Sequence, residues 1–188
     1  MKKLGLAVCG SFCTFDELLP QAERLKQHYE LYPILSEAAY RTDTRFGLAA
    51  AFVKALRELC GREPITTFEA AETLGPKKLL DALAVAPCTG NTLAKLAAGI
   101  ADTPVTFACK AHLRNGRPLV IGISTNDGLA AAAKNLGTLL NRKHYYFVPF
   151  GQDDPEGKPA SLKADLNLLE DTVAAALEGR QLQPVLLG

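Results

Sequence analysis

Four short clusters of small polar residues and glycine stand where apolar runs of the chain stop: Gly10-Ser11-Phe12, Ser36, Pro87-Cys88-Thr89-Gly90-Asn91-Thr92 and Ser124-Thr125-Asn126. Hydroxyls, side-chain amides and unpaired backbone N–H groups at the starts of helices make an anion site without any charged residue. Such a set suits a phosphate monoester held by hydrogen bonds and helix dipole. Small side chains also let the backbone approach a ligand closely. Taken singly, each cluster reads as a helix cap, because caps favour the same residues. Their recurrence at successive strand ends points instead to a ligand crevice.

Other residue types offer less. Cys88 sits where a helix N-terminus would favour a thiolate, but a small residue filling a turn is the plainer reading there. His28, His112 and His144 are far apart in sequence. His112 lies in "CKAHLRNGRP", which reads as a polar loop, with Lys110, Arg114 and Arg117 nearby. His112, Arg114 and Arg117 are therefore the candidates for gripping the carboxylates of an acidic substrate, since arginine holds carboxylate bidentately. No paired-carboxylate mechanism and no metal-ligand spacing is visible, so catalytic residues stay unassigned. The P-loop pattern fails because Gly5 to Ser11 lacks its lysine, and no G-x-G-x-x-G follows the first strand.

The elements that must position these clusters alternate. Strands are expected at 3–10, 29–39, 117–124 and 144–150, with a short strand, an acidic loop, a turn at Gly75-Pro76 and a further strand within 64–87. Helices are expected at 14–30, 42–61, 91–101, 126–143 and 161–179. Thr14 and Glu17 fit a capping box, Pro20 should kink that helix or mark a late start, Asn126 or Asp127 should cap the fourth helix, and Ser161 the last. Residues 151–160 read as a polar loop. Strands alternating with helices make an α/β domain with a mostly parallel sheet. Ligands in such sheets bind beyond the carboxyl ends of the strands, where strand order reverses.

The totals agree with one domain, residues 1–188, since no boundary or repeat shows. The chain is 48% apolar with a formal net charge of +1, which argues against disorder, nucleic acid and membrane surfaces as partners. No apolar stretch reaches the roughly 20 residues of a bilayer span. The five cysteines form no C-x-x-C pair, so reduced thiols and a cytoplasmic location are expected.

The segment "APCTGNTLAKLAAGIADTPVT", with "GSF" after the first strand, Ser36 after the second and Asn126 after the buried strand, resembles the homo-oligomeric flavin-containing Cys decarboxylase superfamily of FMN proteins. The blocks "GPKKLLDALAVAPCTGNTLAKLAAGIADTPVT", "KAHLRNGRPLVIGISTNDGL" and "YYFVPFGQDDPEGKPASL" are similar to one branch of it, from Leu4 to about Pro184. The resemblance implies a Rossmann-like three-layer α/β/α sandwich of the flavoprotein type, with FMN in the crevice. Gly10, Ser11, Phe12 and Ser36 match positions that line the cofactor. Thr89, Asn91 and Thr92 match the phosphate-side cluster and Asn126 a residue near the isoalloxazine; Pro87, Cys88, Ser124 and Thr125 lie in the same segments. It further implies a homo-oligomer that works with an A subunit carrying a nicotinamide (NADP) pattern, the pair oxidising the small molecule dihydrodipicolinate to dipicolinate in sporulating bacteria. Two departures keep alternatives open. No histidine lies between His28 and His112, where the decarboxylases use one, and Ser124-Thr125-Asn126-Asp127 replaces a Pro-Ala-Met-Asn segment. A non-catalytic partner subunit with a vestigial flavin crevice and a flavin-dependent decarboxylase are the alternatives.

Overall fold

Apolar runs bounded by glycine and small polar residues become the centre of one sheet. The computed structural model describes residues 1–188. The strands are β1 (Lys2–Val8), β2 (Tyr29–Leu35), β3 (Ala82–Cys88), β4 (Leu119–Thr125), β5 (Tyr145–Phe147), β6 (Phe150–Gly151) and β7 (Leu162–Ala164). The helices are α1 (Phe15–His28), α2 (Glu37–Arg41), α3 (Ala49–Cys60), α4 (Phe68–Glu72), α5 (Gly90–Ala98), α6 (Pro104–Leu113), α7 (Ala133–Leu140) and α8 (Leu169–Leu177). Single 3-10 turns at Phe12–Thr14 and Leu166–Leu168 lead into α1 and α8.

β2, β1, β3, β4 and β5 lie side by side in that order, all parallel. The chain leaves β1 to one side and returns to β3 on the other, so strand order reverses between them. Every residue of β3 is buried, as a parallel strand covered on both faces requires. α1 and α8 pack together against the sheet on one side; α5, α6 and α7 form the layer opposite, where α6 also meets α4. α1 reaches the core with Leu18, Gln21, Ala22 and Leu25, a single helical stripe. No helix is long and apolar enough to cross a membrane.

Beyond the parallel strands, β7 runs antiparallel to the last two residues of β4, Ser124 facing Lys163 and Thr125 facing Leu162, and β6 pairs with β7. The expected helix from Ser161 is therefore a strand, a 3-10 turn and then α8. Ser161 Oγ donates to Asp153 Oδ1 at 2.6 Å instead of capping. Four further boundaries differ from the sequence reading. α3 begins at Ala49, held by Asp43 Oδ1 accepting from Ala49 N–H at 2.9 Å, with a loop and α2 before it. The acidic stretch after Ile65 is α4, capped by Thr67. Asn126 and Asp127 cap no helix: α7 starts at Ala133, because the Asp127 carbonyl takes the N–H groups of Ala130 and Ala132 in a turn. The Thr14–Glu17 capping box does not form, since Thr14 Oγ1 donates back to the Ser11 carbonyl at 2.6 Å. α1 runs through Pro20.

Candidate functional site

The carboxyl ends of β1, β3 and β4 are drawn together by their own polar residues. β1 and β4 are separated by β3, yet Ser11 Oγ and Ser124 Oγ share a hydrogen bond of 2.7 Å. Two features bring this about. β3 carries a bulge, with Val85 opposite Ile121 but Cys88 opposite Ile123, and bulges re-aim a strand end. The Cys9 N–H then donates to the Pro87 carbonyl at 3.2 Å, tying the chain just beyond β1 to that bulge.

Around this link lie the other expected donors. Thr89 caps α5, its Oγ1 accepting from Thr92 N–H at 3.4 Å. The Gly90 and Asn91 N–H groups, first in α5, have no intrahelical partner. Ser36 Oγ accepts from Ala39 N–H at 3.2 Å, leaving its proton free to donate. Gly10 is tight against α2: a Cβ there would stand 3.0 Å from that of Ala38. Asn91 and Asn126 are exposed. Gly10, Ser11, Phe12, Ser36, Thr89, Asn91, Ser124, Thr125 and Asn126 thus gather at one edge of the sheet. Phe12 also lines an apolar groove of about 220 Å³ with Phe15, Phe46, Leu48 and Phe52, between α1 and the 42–48 loop.

Three of the expected residues sit inside the protein instead. Pro87 and Cys88 are buried, and Thr92 nearly so, its hydroxyl 3.2 Å from Cys9 Sγ. Burial holds the Cys88 thiol well above its ordinary pKa, with the neighbouring Cys9 and Cys109 adding to the effect, so it is not a poised nucleophile. These residues shape the turn from within.

The basic candidates lie at the opposite edge. Residues 104–113 are not a loop but α6, and His112 is buried in it with 3% exposure. Its Nε2 stands 3.0 Å from the Pro118 carbonyl, just before β4. Because that carbonyl only accepts, Nε2 carries the proton. Burial lowers the His112 pKa to about 4, against the partial opposition of the hydrogen bond to Pro118. Arg117 Nη1 donates to the carbonyls of Lys78, at 2.8 Å, and Leu80. Arg114 caps the carboxyl end of α6. His28 ends α1 and His144 precedes β5, so all three histidines sit away from the strand tips.

Two charged residues stand at the tips, and only Asp127 could be placed there from sequence. Lys163 stands directly opposite Ser124 across the β4–β7 ladder, so both side chains project on one face, and its Nζ pairs with Glu17 Oε1 of α1 at 2.5 Å. Nothing local marks Lys163, because its strand reads as the start of a helix. Asp127 Oδ1 accepts from Thr125 Oγ1 and lies 2.8 Å from where a Gly90 Cβ would be, setting a carboxylate beside the start of α5. The crevice is thus not free of charge; it holds one neutralised cation and one anion.

A family model described as Flavoprotein matches residues 1–162. The chain is 45% identical over 187 residues to the B subunit of dipicolinate synthase of Bacillus subtilis (strain 168), covering 99% of this chain and 94% of that one. The crystal structure of the B subunit of dipicolinate synthase from Bacillus halodurans C superposes with a TM-score of 0.91 at 41% identity, over 100% of this chain and 96% of that one. An FMN-dependent cysteine decarboxylase, SpaF, superposes with a TM-score of 0.69 at 25% identity, covering 94% and 97%.

Proposed function

The chain belongs to the Flavoprotein family, and from that premise we propose that its strand-tip crevice holds FMN and that it is the flavin-type subunit of a two-chain enzyme oxidising dihydrodipicolinate to dipicolinate. The observation that carries the cofactor part is the Ser11–Ser124 link, which closes the tips of β1 and β4 over the point where strand order reverses. The donor set fits the group. Ser36, Asn91 and the free N–H groups of α5 present hydrogen-bond donors to a phosphate, and donors to a charged acceptor are the stronger kind. The apolar groove beside Phe12 offers a dry wall for a ring. When bound, FMN supplies a two-electron acceptor. The chain's own residues bind, orient and exclude water. Lys163, released from Glu17, supplies positive charge on the Ser124 side.

The Bacillus subtilis relative is by name one subunit of a synthase, which supports a partner chain, the A subunit. The nicotinamide role (NADP) is proposed for that partner, together with action in sporulating cells. Self-association is part of the same reading: Phe46 and Leu48 at the groove are 50% and 62% exposed, which a second copy would cover. A decarboxylase reading loses support from the placement of all three histidines at the far edge of the sheet.

One observation favours the second reading, a partner subunit with a vestigial crevice. The Asp127 carboxylate abuts Gly90 and opposes a phosphate there. Reconstitution separates the two. With this chain and the A subunit combined, oxidation of dihydrodipicolinate should require both and be stimulated by FMN. Full activity of the A subunit alone would overturn the assignment, and activity that needs this chain but ignores FMN would replace it with the partner role.

A further inference from the structure

A second concave site lies at the opposite edge of the sheet from the strand tips. It is a cavity of about 340 Å³ between the carboxyl ends of α5 and α6 and the start of β5. Three cations converge on it: Lys110 and Arg114, one turn apart on α6, and Arg142, which follows α7. None of the three makes an ion pair, and no carboxylate lines the cavity. Like charges at this helical spacing repel, so the sequence places them together at a cost. Arg142 is held in position by Nη1 to the Leu96 carbonyl at 3.2 Å and Nη2 to the Ala97 carbonyl at 2.8 Å. Two of its five N–H donors are thus used and a further one bonds the Tyr145 hydroxyl, which leaves two for a ligand.

Cations near the carboxyl ends of helices offset the helix dipole, which accounts for the sign of the charge. It does not account for the walls. Leu96, Leu113 and the Tyr145 ring form an apolar lining, and Ile100 is left 48% exposed at the mouth. An inorganic ion would leave this surface uncovered.

The geometry points to a binding site for a small ring carboxylate, its ring on Leu96, Leu113 and Tyr145 and its carboxylates on Lys110, Arg114 and Arg142. The volume is within the range of small-molecule pockets. The site shares no residue with the strand-tip crevice and does not depend on flavin binding.

Isothermal titration of the full chain with benzene-1,3-dicarboxylate, benzoate and inorganic phosphate tests this. The dicarboxylate should bind saturably, one per chain, more tightly than benzoate and at least about tenfold more tightly than phosphate. The double variant Lys110→Ala/Arg114→Ala, whose changes are on exposed side chains, should weaken dicarboxylate binding at least about tenfold. Lys134→Ala, an exposed cation of α7 outside both sites, should leave it unchanged. Unaltered thermal unfolding of the double variant establishes that it is folded. No saturable binding to the parent chain, or binding indifferent to the double variant, would overturn the site. Equal affinity for phosphate would overturn its assignment to a ring carboxylate.

Discussion

Alanine placed at two helical glycines should shift stability in opposite directions, because only one of them is pressed against a neighbour. At Gly90, the first residue of α5, a Cβ would stand 2.6 Å from Thr125 Oγ1 and 2.8 Å from Asp127 Oδ1. Both gaps are far inside ordinary contact, so Gly90→Ala must break the Thr125–Asp127 hydrogen bond or push the β4 tip off α5. Overpacking of this kind costs about 1–3 kcal/mol. The gain in helix propensity is at most about 1 kcal/mol and smaller at a first residue. The net expectation is a loss of about 1–2 kcal/mol. At Gly137, inside α7, a Cβ meets nothing within 4 Å. Gly137→Ala should therefore gain about 0.5–1 kcal/mol from reduced unfolded-chain entropy and better propensity. For a domain of this size 1 kcal/mol moves Tm by roughly 2–4 °C. Differential scanning calorimetry should then show Gly90→Ala lower by roughly 2–8 °C and Gly137→Ala higher by roughly 1–4 °C. A rise for Gly90→Ala, or equal shifts for the two, would refute the close packing of α5 on the β4 tip.

Three further outcomes follow from the site and core. His112 takes its proton at about pH 4 when folded, below its ordinary 6.5, so between those values the unfolded chain binds more protons and stability rises with pH. Denaturant unfolding should show about 2 kcal/mol less stability at pH 5 than at pH 7 from this group, a loss that His112→Gln should largely remove. Of the five cysteines only Cys13 is exposed, while burial raises Cys9 and Cys60 to about 11 and holds Cys88 and Cys109 well above their ordinary value. An aromatic disulfide reagent should modify one thiol per native chain quickly and the rest only on unfolding; fast modification in Cys13→Ser would contradict this. Sedimentation should find a species larger than the 20.1 kDa chain, and Leu48→Glu at the apolar groove should dissociate it; an unchanged oligomer would remove that face from the interface.

The sheet could be read from sequence because its central strands are unbroken apolar runs that end in glycine or small polar residues. β1, β3 and β4 are buried on both faces over most of their length. The clusters at their ends were legible for the same reason. α6 was not, because its buried Ala108, Cys109, Ala111 and His112 are small or polar and are interrupted by exposed Lys110 and followed by exposed Arg114, a pattern that reads as polar. Its start was signalled by Thr103 followed by Pro104, which together with Thr106 form a capping box with proline in the first turn. β7 was hidden by the helical spacing of Leu166, Leu169 and Val173, which belongs to the turn and helix after it. Lys163 reaches the tips only through tertiary pairing, which no local pattern encodes. The candidate substrate residues lie apart from the crevice for a topological reason: a segment that leads into a parallel strand lies at its amino end.

The central claim is that hydrogen-bond donors at the tips of β1, β2, β3 and β4 cradle a flavin's phosphate. Equilibrium titration of the full chain with FMN and with riboflavin, which lacks the phosphate, tests it most directly. A hydrogen bond to a charged group contributes about 1.5–3 kcal/mol, so FMN should bind at least about tenfold more tightly than riboflavin. Ser36→Ala should narrow that gap. A chain that takes up neither flavin, or binds both equally well, would contradict the account.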